Sequence, residues 1–67
     1  MKVKIINRTD YQQFVDISGI KKDKLKKEDY DYIYSVPAKS FITVEMTENE
    51  FIRTAKLYRN LIFKKIN

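Results

Sequence analysis

The sequence predicts an α+β domain, a small antiparallel sheet of about four strands packed by one C-terminal helix in the order ββββα. Three observations lead there. Short segments of alternating polar and apolar residues recur through the first two thirds of the chain. A strong helix-start signal follows at Thr47-Glu48-Asn49-Glu50. The 67 residues contain one Gly and one Pro, so no linker divides them and residues 1–67 read as a single domain.

The elements follow in order. Residues 2–6 (Lys2-Val3-Lys4-Ile5-Ile6) form a short β-branched run and the first strand. Asn7-Arg8-Thr9-Asp10 supplies turn chemistry, because Asn and Asp side chains bond their own backbone two residues on. In residues 11–18, Tyr11, Val15 and Ile17 alternate with Gln12, Phe14 and Asp16, which predicts a second strand hairpinned to the first. Residues 30–36 alternate again, with Tyr30, Tyr32, Tyr34 and Val36 against Asp31, Ile33 and Ser35. Pro37-Ala38-Lys39 makes a turn, and residues 41–46 complete a second hairpin with Ile42, Val44 and Met46 on one face.

The helix signal is a capping box. The Thr47 hydroxyl can accept from the Glu50 N–H, while Glu50 reaches back to the Thr47 N–H. Met46 and Phe51 stand where a hydrophobic staple belongs. Glu48 and Glu50 at one end, with Lys64 and Lys65 at the other, suit the helix dipole. These cues predict a helix over 48–65. Phe51, Ala55, Tyr58, Ile62 and Ile66 would line its buried stripe, widened by Ile52 and Phe63. Leu57 and Leu61 fall on the other flank, so either the helix is wrapped more deeply than one sheet permits or these two meet a partner.

Composition excludes several chemistries. The chain has neither His nor Cys, which removes disulfides, thiol nucleophiles, the usual general base and ordinary zinc sites. Its single glycine cannot build a phosphate cradle. Asp29 and Asp31 lie beside lysines at a loop end, where solvation keeps carboxylates ionised. The expectation is therefore a non-enzymatic protein without metal or cofactor. No apolar run approaches the ~20 residues of a membrane span, and the N-terminus lacks signal-peptide features. A cytoplasmic or virion-associated location is expected, and the Asn7-Arg8-Thr9 sequon is read as chance.

Partners are expected instead. A chain this short buries only about 60% of its unfolded surface, so a small domain without staples gains from docking. Phe14 and Phe41 face away from the aliphatic sides of their strands. With Leu57 and Leu61 they form the candidate partner-binding set, for another protein or a second copy. Lysine, isoleucine and asparagine are abundant, as in AT-rich coding sequence. A small phage or mobile-element accessory protein, either a virion component or a host-protein binder, fits that usage.

The alternative is a basic nucleic-acid-binding protein. The net charge is +5. Lys21, Lys22, Lys24, Lys26 and Lys27 crowd one segment, and Lys64 and Lys65 form a second cluster; they either coat a solvated loop or contact phosphates or an acidic partner. Tyr30, Tyr32 and Tyr34 project from one strand face. That row either packs inward, which Ile33 as a lone alternative favours, or stacks bases. Acidic residues nearby weigh against a phosphate backbone.

Overall fold

The computed structural model describes residues 1–17 and 33–66. It contains β1 (Lys2–Asn7), β2 (Gln13–Asp16), β3 (Ile33–Val36), β4 (Ser40–Glu45), α1 (Glu48–Leu57) and β5 (Leu61–Lys65). The α+β class is as the sequence predicts. The ββββα order is not, because a fifth strand follows the helix.

β1 is the central strand of a three-stranded antiparallel sheet, flanked by β4 and β5. Its register sets Val3 opposite Val44 and Ile5 opposite Ile42 on one side, and Ile5 opposite Phe63 and Asn7 opposite Leu61 on the other. β2 pairs with β3 as a separate ladder, with Val15 opposite Tyr34. The expected hairpins between the first and second strands, and between the third and fourth, therefore do not form. β1–β4 and β2–β3 are instead successive lengths of one antiparallel ribbon that turns a corner between them. Residues 8–12 lie on one side of that corner and residues 37–39 on the other, an unequal count that bends a ribbon as a bulge does.

Asn7 holds the corner. Its side chain is buried, and Nδ2 donates to the carbonyls of Tyr11 (2.8 Å), Val36 (3.1 Å) and Pro37 (3.2 Å). Oδ1 accepts from the Thr9 N–H at 3.0 Å. That last bond is the side-chain turn expected from the sequence; the bond to Tyr11 holds the connection to β2, and those to Val36 and Pro37 tie β1 to the end of β3. The Lys39 N–H donates to the Thr9 carbonyl at 3.1 Å, which closes the corner from the opposite strand.

Inside the fold lie Val3, Ile5, Val15, Ile17, Val36, Val44, Met46 and Leu61, with Tyr34, Phe51, Tyr58 and Phe63 packed around them. Tyr34 and Val36 thus face inward, the orientation favoured for their row. Tyr30 and Tyr32 lie outside the described residues. Fully burying one aliphatic side chain contributes roughly 1.5–3 kcal/mol, so this cluster is the main stabilising feature.

The helix begins as predicted. Both halves of the capping box are present, at 3.2 Å for Glu50 N–H to Thr47 Oγ1 and 2.8 Å for the return bond. It stops at Leu57 rather than near residue 65. The Tyr58 N–H still bonds the Thr54 carbonyl, but the next turn reverses the chain through a Leu61 N–H to Tyr58 carbonyl bond of 3.2 Å. Leu61-Ile62-Phe63 then alternates as a strand, with Leu61 and Phe63 inward. A helix continuing through this segment would leave β1 without its second neighbour and Ile5 without Phe63. Two bonds hold the helix end against β2: the Asp16 N–H donates to the Tyr58 hydroxyl at 2.9 Å, and the Arg53 guanidinium donates to the Ile17 carbonyl.

Candidate docking surface

The three-stranded sheet has two faces, and the register assigns residues to each. Val3, Ile5, Val44, Leu61 and Phe63 face the core and helix. The opposite face therefore carries Lys2, Lys4 and Ile6 from β1, Phe41, Thr43 and Glu45 from β4, and Ile62 and Lys64 from β5. Directly opposed residues form rows across the sheet. Phe41, Ile6 and Ile62 make one row, and Thr43, Lys4 and Lys64 make the next.

The first row is a band of apolar surface spanning all three strands. Phe41 is 52% exposed, and Ile6 and Ile62 are half-buried. Lys4 Nζ sits 4.0 Å from the centre of the Phe41 ring, a cation–π contact that keeps its charge beside the ring. A shallow depression of about 410 Å³ continues from Phe41 and Ile6 to Arg8, Lys39 and Ser40. Lys39 is engaged with Asp10 at 3.1 Å. Among the described residues Lys4, Arg8 and Lys64 have no carboxylate partner, so the band is edged by uncompensated positive charge.

The expected partner-binding residues separate. Phe41 belongs to this band. Phe14 is 60% exposed but projects from the outer face of β2, beside Ser35. Leu57, 66% exposed, ends the helix, which packs on the other face of the sheet. Leu61 is only 6% exposed: as the first residue of β5 it enters the core, and it leaves the set. Lys64 stands on the outer face opposite Lys4. Lys65 points to the helix side, where Nζ meets Glu48 Oε1 at 2.7 Å and lies 5.1 Å from the Phe51 ring centre. The two lysines expected in a last helical turn thus lie on opposite faces of a strand. Lys21, Lys22, Lys24, Lys26 and Lys27 lie outside the described residues.

Ile6, Lys4 and Arg8 were not singled out by sequence reasoning, and Ile62, expected in the buried stripe of the helix, stands instead on the outer face of β5. Lys2-Val3-Lys4-Ile5 does carry the alternation that puts lysines outward, but no sequence signal showed that Ile62 would join Ile6 on the same face. Among the described residues no group of His, Cys, Asp and Glu is placed to hold a metal ion, and no described helix is long and apolar enough to cross a membrane. The chain matches no protein-family model, and no curated protein or solved structure is significantly similar to it.

Proposed function

We propose that this chain is a non-catalytic protein-interaction domain that docks a partner protein on the outer face of the β4–β1–β5 sheet. The observation that carries the reading is the apolar row Phe41–Ile6–Ile62, which crosses every strand of a face that no other described element covers. Protein interfaces centre on aromatic and aliphatic anchors with a polar rim. Here Phe41 is the anchor, and Lys4, Arg8 and Lys64 favour carboxylates on the partner. A photo-crosslinking phenylalanine analogue at position 41, introduced in the native host, tests this. A discrete protein adduct from position 41, absent from the exposed control position Asn49, is the expected result. Equal labelling from both positions refutes it.

The nucleic-acid reading rests on the same three cations beside an exposed ring. It predicts retardation of single-stranded oligonucleotides at low salt that is lost steeply as salt rises. Retardation abolished by Phe41→Ala and by joint Lys4→Gln, Arg8→Gln and Lys64→Gln substitution would put nucleic acid in place of protein as the ligand of this face.

A further inference from the structure

We propose that two copies of this chain pair edge to edge through β4, in antiparallel register about Thr43, to form a continuous six-stranded sheet. Among the described residues no strand pairs with β4 on the side away from β1. Which backbone groups face that side follows from the ladder. The Met46 N–H bonds the Met1 carbonyl at 3.0 Å, and the Met1 amine bonds the Met46 carbonyl at 3.0 Å, so Met1 and Met46 are a hydrogen-bonded pair. Antiparallel pairs alternate. Val3–Val44 and Ile5–Ile42 are then hydrogen-bonded, while the N–H and C=O of Phe41, Thr43 and Glu45 point outward.

The two edges of the sheet differ in protection. Proteins blunt free edges with lysine, proline or bulges. β5 carries Lys64 and Lys65, whereas β4 reads Ser-Phe-Ile-Thr-Val-Glu with neither lysine nor proline. Such an edge accepts a strand.

The occupant is a second copy because the edge complements itself. Outward groups must meet outward groups, so centring on Thr43 pairs Thr43 with its symmetry mate and Phe41 with Glu45. A Thr–Thr pair is favourable across strands. Each Glu45 carboxylate arrives beside the partner's Phe41 ring, over which Lys4 is already held at 4.0 Å, and opposite charges meet at both ends. On the helix side, half-buried Ile42 comes opposite Val44, a β-branched pair. The ladder is short compared with a standard interface of about 800 Å² per partner, so the dimer is expected in the ~10–100 µM range.

This inference does not rest on the docking reading. The isolated protein tests it, and a purely monomeric chain would still present its outer sheet face to a partner. Sedimentation equilibrium of the full chain should show a concentration-dependent monomer–dimer exchange. Thr43→Pro removes an outward N–H without touching the β1 ladder, and should weaken the dimer roughly tenfold or more. Because the chain has no cysteine, single substitutions read the register under mild copper–phenanthroline oxidation. Thr43→Cys should cross-link to itself, since facing Cα atoms in such a pair lie about 5.5 Å apart. Phe41→Cys and Glu45→Cys should each stay uncoupled alone but cross-link when mixed. Monomer at every concentration to ~1 mM, self-association indifferent to Thr43→Pro, or Phe41→Cys coupling to itself as fast as Thr43→Cys would each overturn the proposal.

Discussion

Asn7 shows how much one side chain can determine in a chain this small. Its amide joins the carbonyls of Tyr11, Val36 and Pro37 on the two sides of the corner and accepts the Thr9 N–H, so it replaces the ladder bonds that the corner interrupts. A buried carbonyl left unpaired costs about 1–3 kcal/mol. Asn7→Ala should therefore lower unfolding free energy by roughly 2–4 kcal/mol in urea titrations. The same burial hides the Asn7-Arg8-Thr9 sequon from modification in the folded state. Across the corner, Lys39 adopts φ 55°, the left-handed region that costs a side-chain-bearing residue energy. Its ion pair with Asp10 is exposed and contributes little. Lys39→Gly is accordingly expected to raise stability by up to about 1 kcal/mol, read as a higher urea midpoint at unchanged slope.

At the scale of elements, the reassigned C-terminal segment makes a sharp distinction. The Ile66 N–H bonds the Lys2 carbonyl at 3.0 Å, so by alternation the Lys64 N–H also points to β1 while that of Lys65 points away. Lys64→Pro should destabilise by about 1–3 kcal/mol more than Lys65→Pro in chemical denaturation; in a helix both would be equally harmful. The sequence made the helix start legible because a capping box is local: Thr47 and Glu50 need no distant partner to act. It made the strand faces legible where Val15, Ile17, Val44 and Met46 alternate with polar neighbours. It did not reveal the helix end. Phe51, Ala55, Tyr58 and Ile62 keep helical spacing, and Leu61-Ile62-Phe63 fits either period over so few residues. What decides for a strand is the exposed flank of β1, a long-range fact. Strand pairing failed for the same reason, since the bonds of Asn7 to Val36 and Pro37 cannot be read from the turn alone.

For the molecule as a whole, the apolar side chains left over by the sequence pattern divide between surface and core. Phe14, Phe41 and Leu57 do lie outside the core, on three different elements, while Leu61 goes in. Phe41 stands in one row with Ile6 and Ile62, beside Lys4 and Arg8. Phe41→Ala should therefore change the melting temperature by no more than a few degrees, about 1 kcal/mol or less, yet abolish docking. Association through Lys4, Arg8 and Lys64 should slow as ionic strength rises, a trend that stopped-flow mixing with the captured partner can follow. The position of β1 has one more consequence. The first strand of the chain is the middle strand of its sheet, and its ladder joins Val3 to Lys65. Nearly every pairing that buries Val3 and Ile5 is of high contact order, which places folding in the slow, millisecond-to-second class. During synthesis that greasy segment must wait, unaccompanied, until β4 and β5 have both emerged; the interval before then is when this protein is most exposed to aggregation.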